Sequence, residues 1–408
     1  MPTVAVFRDW LLPLSETFIR EQVDVYSRFG GVYVGCKRLD GLEISRNPVV
    51  VMHPGLLGRA EKFLFRSTGF APNLVSGLRK YKPVLLHAHF GPDGALAMPL
   101  ARTLNIPLVV TFHGYDASYT DETFRQNRSG RWYLRQRKRL NIAAGAILAD
   151  SEFLTRKLFD QGFSREKVRA HHIGVDPEKF KPQPEVPREK IVLFVGRLVE
   201  KKGCEYLIRA MESIQKAMPE VKLVIVGDGP LRESLEQLAK SILRQFTFVG
   251  ALPAEDIRKW MRRAKVSCVP SVIAKSGDAE GLPTVVLESQ ASALPVVAFA
   301  SAGIPEAVVH GETGYLAPER DYNALSGYIA KLLADGDLWA SFSRAGRDLV
   351  KTSFNVKTQT GKLERLYEAV IDSYAQAHAG KQGDSNSTAQ TANVQEVVVG
   401  EAGPGRTD

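Results

Sequence analysis

Short apolar runs alternate with longer amphipathic stretches along almost the whole chain. Thr3–Phe7, Gly31–Gly35, Val49–Met52, Val84–His89, Leu108–Phe112 and Ala146–Ala149 have the length and composition of buried strands. Helix-like segments such as Ser15–Phe29 and Gly94–Leu104 lie between them. The second half repeats the rhythm. Ile191–Val195, Lys222–Val226, Phe246–Val249, Val266–Pro270 and Pro295–Phe299 read as strands, and Cys204–Met218, Leu231–Ile242 and Ala254–Arg263 as helices. Sustained strand–helix alternation predicts parallel, doubly wound sheets. The expected fold is therefore α/β, with two Rossmann-like domains at 1–176 and 190–362. The four prolines of Asp176–Arg188 mark a linker at 177–189. A helical pattern at 363–378 closes the folded part. From 379 to 408 the chain turns to Gly, Ser, Thr, Gln and Asn and is expected to be disordered.

Open parallel sheets bind ligands outside the carboxyl ends of their strands. Two such sheets place the active site in the cleft between domains, so residues just after strands carry most weight. Residues 278–289, DAEGLPTVVLES, follow a strand. Pro283 stands where a helix would start. Thr284 and Glu288 are then one turn apart on one face. Glu280 precedes the helix on a glycine-containing turn. A helix N-terminus with free amides favours a diphosphate. Glu288 can accept two hydrogen bonds from a ribose diol, and Glu280 can accept from sugar hydroxyls. After the strand Ile191–Val195, GRLVEKKG at 196–203 supplies Arg197 and Lys202. Fixed cations in a water-poor cleft stabilise the charge that builds on a leaving diphosphate. Such a pair makes a metal dispensable, so neither metal nor cofactor is expected.

These residues resemble the retaining GT-B glycosyltransferases of family GT4, the glycosyltransferases group 1 type. The matching parts are GRLVEKKG, VIVGDGP at 224–230, FVG at 248–250, EGLPTVVLE at 280–288 and ALPVVAFASAGIPEAVVHGETGYLAP at 293–318. In the first half, LSETFIREQV at 14–23, LLHAHFGPDGA at 85–95 and TFHGYD at 111–116 resemble a branch that builds bacterial exopolysaccharides such as colanic acid. The resemblance implies that Arg197 and Lys202 bind the donor diphosphate, and Glu288 the ribose. Glu280 with the amides of Gly281, Leu282, Pro283 and Thr284 would hold the hexose and distal phosphate; Pro283 itself has no amide hydrogen to give. Val249, Gly250 and Leu252 would edge the base pocket, and His113 would face the reacting sugar. It also implies that the helix at 363–378 returns to the N-terminal domain. One departure stands out. Relatives place a Gly-Gly loop after the first strand, whereas Asp9–Thr17 has no glycine. Ser15 reads there as a helix N-cap whose amides could do the same work.

Other readings stay open beside these. His113 could be a satisfied structural histidine, and Asp116 a turn cap. His87 and His89 alternate on one strand face, without a carboxylate or cysteine cluster to complete a metal site. Asp335-Gly336-Asp337 joins two helical stretches and reads as a connection, not a metal motif. Arg125–Arg139, with Trp132, Tyr133 and Leu134 among its cations, fits a membrane-interface helix or a helix burying one apolar stripe.

Charge and cysteine usage narrow the class. Residues 1–181 hold 27 Lys and Arg against 17 Asp and Glu; the remainder holds 27 against 28. A basic first half suits anionic lipid or a phosphorylated acceptor, and no nucleic-acid module accompanies it. Three widely spaced cysteines argue against a disulfide framework. No apolar run spans a membrane, and Val4–Phe7 reads as a strand, not a signal peptide. The expected protein is a cytoplasmic glycosyltransferase that works at the inner face of the cytoplasmic membrane. It would move a hexose from a nucleoside-diphosphate sugar to a glycan acceptor, with a polyprenyl-diphosphate-linked saccharide as the specific hypothesis. A nucleotide-sugar 2-epimerase and a non-catalytic sugar-binding protein are the alternatives.

Overall fold

The computed structural model describes residues 1–395 apart from 12, 14, 15, 40, 45, 46, 53 and 54, and gives the backbone alone for 380–395. Two parallel sheets form the frame. The first contains β1 (Thr3–Phe7), β2 (Gly30–Gly35), β3 (Val49–Val51), β4 (Pro83–His89), β5 (Leu108–Phe112), β6 (Ala146–Ala149) and β7 (Val168–Ala170), in the spatial order β3-β2-β1-β4-β5-β6-β7. The second contains β8 (Ile191–Val195), β9 (Lys222–Val226), β10 (Phe246–Gly250), β11 (Val266–Val269), β12 (Val296–Phe299) and β13 (Gly314–Ala317), in the order β10-β9-β8-β11-β12-β13. Both are doubly wound. In each, the order reverses beside the first strand, which opens a crevice between β1 and β4 and another between β8 and β11. Strands read as near-continuous apolar runs because helices cover both faces: Val4, Ala5, Val6 and Phe7 are all fully buried.

Both expected domains are present, and several boundaries shift. The helix expected over Ser15–Phe29 spans only Thr17–Asp24. Its N-cap is Glu16, and Ser15, expected to cap it, lies outside the described residues. The helix after β11 spans Thr284–Ala291, with Pro283 as N-cap instead of first helical residue. Helices at Leu56–Thr68 and Pro72–Arg79 and strand β7 were not anticipated. Their apolar residues follow no simple core periodicity, because the first of these helices exposes much of its apolar surface. In Arg125–Arg139, Tyr133 is fully buried and Trp132 and Leu134 pack on the first-domain core. Of the two readings of that segment, the buried stripe is the one seen. Asp335 caps the helix Gly336–Ser353 by accepting from the Leu338 amide at 2.9 Å, so the acidic pair joins helices.

The linker is anchored, not free. Phe180 is buried in the second domain's core, and the Arg188 guanidinium donates to the carbonyls of Met261, Ala264, Ser292 and Ala293. The chain crosses between domains twice, and the crossings pair: the Val175 amide bonds Phe354 O at 2.9 Å and the Val356 amide bonds Val175 O at 2.9 Å. The last helix begins at Val356, earlier than expected, and packs on the first domain through Leu363 and Tyr367. Its backbone continues to Gln395, so the tail expected to be disordered from 379 is helical over that stretch. Helix propagation onto an existing nucleus adds one hydrogen bond per residue fixed. The rest of that tail, 396–408, lies outside the described residues.

Candidate active site

The second crevice is built by two strand-end loops. After β8 the chain turns through Gly196–Gly203. Gly203 adopts φ 62°, and a Cβ there would meet Pro270 O at 1.8 Å, so only glycine lets this loop sit against the one after β11. That approach brings Lys202 Nζ to 2.7 Å from Glu280 Oε1. Lys201 Nζ pairs with Asp278 Oδ1 at 2.9 Å alongside. Burial pushes the Glu280 carboxyl up, but Lys202, Lys201 and the Ser271 hydroxyl more than reverse it and hold it below the usual carboxylate range. Glu280 is thus a buried anion.

Glu288 lies in the helix that follows and is half-buried. Burial and the nearby Glu21 carboxylate push its carboxyl up to about 7, against the opposing effects of the Thr284 hydroxyl, Arg258 and Lys202. Arg197 is exposed and makes no ion pair among the described residues. Val249 and Leu252 pack on the second domain's core, and the Gly250 carbonyl accepts from the Gly227 amide at 2.8 Å.

The first crevice supplies the opposite wall. His113 follows β5, and its Nε2 lies 3.0 Å from His89 Nδ1. Its Nδ1 is 3.6 Å from Asp150 Oδ2, beyond hydrogen-bond length. Burial, with His87, Arg8 and His171 nearby, holds His113 well below the ordinary histidine range, so its ring is neutral. Asp116 caps the turn: it accepts from the amides of Gly91, His113 and Gly114 at 2.9, 3.1 and 3.0 Å. His87 bonds Tyr367 and Thr111 at 2.6 and 2.7 Å and is structural. No group of three or more His, Cys, Asp and Glu side chains that could hold a metal occurs among the described residues.

The two walls meet. A Cβ on Gly114 would lie 3.1 Å from Ala279 O and 3.8 Å from the Gly281 amide. The Ala279 amide donates to Ser118 Oγ at 3.1 Å, and Thr123 Oγ1 donates to Ser276 O at 2.8 Å. Gly281 sits against Asp150. Burial, with Asp116 and Glu280 nearby, pushes the Asp150 carboxyl well up.

Two model matches cover this architecture. Residues 175–349 match "Glycosyl transferases group 1" and residues 15–179 match "Glycosyltransferase Family 4". The amylovoran biosynthesis glycosyltransferase AmsK of Erwinia amylovora is 31% identical over 308 residues, 73% of each chain. The chain is a family 4 glycosyltransferase. Further relatives of this family 4 enzyme include the putative colanic acid biosynthesis glycosyltransferase WcaL of Escherichia coli, 30% identical over 69% of this chain and 70% of that one. A GDP-mannose-dependent α-(1-6)-phosphatidylinositol monomannoside mannosyltransferase of Mycolicibacterium smegmatis is 31% identical over 68% and 75%. Among solved structures, Anabaena HepE with UDP-glucose superposes with a TM-score of 0.72 at 18% identity, over 90% of this chain and 100% of that one. The GT-B fold of two facing Rossmann-like domains is shared.

The structure brings together Lys202, Glu280, Gly281, Leu282 and the His113–Gly114 turn. It leaves Arg197 in solvent and puts Val249, Gly250 and Leu252 at the far strand of the second sheet. Sequence reasoning missed Arg8 and Asp150. Arg8 donates to Glu16 Oε2 at 2.8 Å, bonds Asp93 and lies 4.3 Å over the Phe90 ring. The signal was available: each is the first charged residue after a strand, TVAVF-Arg8 and AILA-Asp150.

Proposed function

We propose that this family 4 enzyme transfers a hexose from a nucleoside-diphosphate sugar to a glycan acceptor with retention of anomeric configuration, in exopolysaccharide or lipid-linked saccharide assembly. One observation carries the reading: the Lys202–Glu280 pair and the Gly281 amide stand at one strand-end crevice, directly opposite the His113–Gly114 turn of the other. In this reading Lys202 and Arg197 neutralise the diphosphate, with Lys202 fixed by Glu280 and Arg197 folding in from solvent. Metal-free leaving-group stabilisation follows from those two cations. Glu288 accepts from the ribose. Glu280 is the sugar's anchor: its carboxylate is paired and hydrogen-bonded, an arrangement suited to positioning more than to nucleophilic attack. His113 Nδ1, His89 Nε2 and Asp150 Oδ1 are buried and without partners among the described residues, and in this reading His113 Nδ1 serves the sugar hydroxyls. The leaving phosphate oxygen then takes the acceptor's proton on the face it departs from. The amylovoran, colanic acid and phosphatidylinositol mannoside relatives support a polymeric or lipid-linked acceptor.

The test begins with a thermal-shift panel of nucleoside diphosphates and their sugars, since a ligand that binds the folded state raises its apparent stability. Transfer is then assayed with the selected donor. Arg197→Ala should lower turnover by about 10²–10³; wild-type turnover in that variant overturns the diphosphate assignment. Interconversion of the donor without acceptor would favour the epimerase alternative.

A further inference from the structure

The helix Leu56–Thr68 presents three distinct faces. At about 100° per residue, Gly58, Glu61 and Phe65 fall together, and these three are its buried residues. Leu56, Leu57, Ala60, Phe63 and Leu64 form a second arc, and Arg59, Lys62 and Arg66 a third. The apolar arc points into solvent: Leu56 is 82% exposed, Leu57 80% and Phe63 75%. Phe70, just beyond the helix, is 58% exposed and extends the patch. Scattered exposed apolar residues are ordinary on a soluble protein, but a contiguous set on one helix is a contact surface.

The helix is tied to its neighbours at both ends of its buried face. Glu61 accepts from the Asn73 and Leu74 amides at 2.9 and 3.3 Å and from Asn73 Nδ2 at 3.2 Å, tying the helix to the next one. Gly69 ends it in a left-handed conformation against Pro99. The basic arc marks where the patch lies. Arg66 bonds Asp9, and Lys62 stands 3.9 Å from the same carboxylate. Asp9 follows β1 at the first crevice, where its amide bonds Asp93. The apolar surface therefore flanks the acceptor-side wall of the cleft.

We propose that this helix docks the enzyme on an anionic lipid surface, with Leu56, Leu57, Phe63 and Phe70 entering the acyl boundary and Arg59, the cation of the third arc that does not face Asp9, meeting phosphate headgroups. An apolar arc bordered by cations is the pattern of helices that lie in a membrane interface. Charge complementarity selects the occupant. The first half of the chain carries 27 basic against 17 acidic residues, and a negatively charged bilayer attracts such a domain within a Debye length. Docked this way, the first crevice opens beside the membrane, where a lipid-linked acceptor presents its saccharide. The acceptor part of this assignment rests on the proposed function; the lipid contact does not.

Co-sedimentation with vesicles tests it. The full chain is expected to pellet with phosphatidylcholine vesicles containing phosphatidylglycerol and to remain in the supernatant with pure phosphatidylcholine, with binding weakened by salt. The double substitution Leu57→Ser and Phe63→Ser should reduce partitioning by roughly tenfold or more. Arg59→Glu should reduce it on anionic vesicles. Both residues changed in the double variant are solvent-exposed, so its melting temperature should match the wild type and confirm folding. Its nucleotide-induced thermal shift should also persist. Wild-type protein that stays in the supernatant at low salt, or variants that pellet equally well, overturn the proposal. So does light scattering that shows a dimer converted to monomer by the double substitution, since the patch would then face a second copy. A protein that pellets but gives no nucleotide-induced shift refutes the donor reading and leaves the docking surface standing.

Discussion

Glu288 is where one residue's environment sets a measurable property. Its carboxyl is pushed up to about 7 by burial and by Glu21. Only the charged form can accept from both hydroxyls of a ribose diol with its two oxygens, so tight donor binding expels the proton that the free enzyme holds. Affinity for a nucleotide sugar is therefore expected to rise with pH up to about 7 and then level off. Below that point it should fall by up to about tenfold per pH unit, the limit for one coupled proton. A nucleotide sugar is the ligand to use, because its diphosphate diester has no proton to lose in this window. Calorimetric titration across the range checks it, and Glu288→Gln should flatten the profile. On stability the sign reverses: the folded state binds this proton more tightly than the unfolded chain, so the contribution of Glu288 declines as pH rises from about 4.5 to about 7. Gly281 supports a second residue-scale prediction. A Cβ there would lie 1.9 Å from Asp150 Oδ1 and 2.6 Å from its Cγ. Asp150 is short and buried and cannot move aside cheaply. Gly281→Ala should therefore hold the walls apart and cut turnover at least tenfold, while the second domain still gives a nucleotide-induced thermal shift. Unchanged turnover would show that catalysis does not need this contact.

Among the elements, the last helix ties the chain's end to its beginning. Glu364 is fully buried, and its carboxylate accepts from the Ser27 amide and hydroxyl at 2.8 and 2.7 Å and from the Arg28 amide at 2.7 Å. Truncating it leaves those donors unpaired in the interior, at a cost of about 1–3 kcal/mol. Glu364→Ala should lower the urea midpoint accordingly, with Glu364→Gln milder because it keeps one acceptor oxygen. Such long-range ties explain which parts of the fold were legible. Strands β1, β4, β5, β8 and β9 were readable because doubly buried parallel strands are uninterrupted apolar runs. Helix Thr284–Ala291 and its carboxylate were readable because motif and strand end coincide. The helix Leu56–Thr68 was not, because its exposed leucines and phenylalanines obscure the core periodicity. Glu364 was equally invisible: its partners are the backbone amides of residues 27–29, and no spacing rule links positions more than 330 apart. Asp150 became interpretable only when Gly281, from the other domain, was seen against it.

At the scale of the whole molecule, the domains are joined at a hinge and held by a latch. The hinge is the paired crossing of Val175 beside Phe354–Val356, where a Cβ on Gly174 would lie 2.5 Å from the Val356 Cα. The latch is Glu306, a second-domain carboxylate. It accepts from the Glu152 and Phe153 amides at 2.8 and 3.0 Å, at the N-terminus of the first-domain helix Glu152–Asp160, and lies 2.9 Å from His172 Nε2. An anion there meets both free amides and the positive end of the helix. Burial pushes its carboxyl up, but His172 and the two amides more than reverse this and hold it below the usual range. The latch is thus charged at neutral pH, and its contribution is lost as pH falls through that lowered value. Glu306→Ala removes the acceptor while the exposed Glu152 amide and the partly buried Phe153 amide can take water once the cleft opens, so folding should change little and the closed arrangement should lose about 1–3 kcal/mol. That is enough to shift a two-state opening equilibrium by roughly five- to 150-fold. Small-angle scattering should report a larger radius of gyration for Glu306→Ala without ligand, shrinking when donor is added. Transfer should show a raised KM for donor with a smaller change in kcat, because saturating donor can close the cleft without the latch. A variant as compact as the wild type, with unchanged KM, would mean that the Ala279–Ser118 and Ser276–Thr123 contacts alone hold the two domains together.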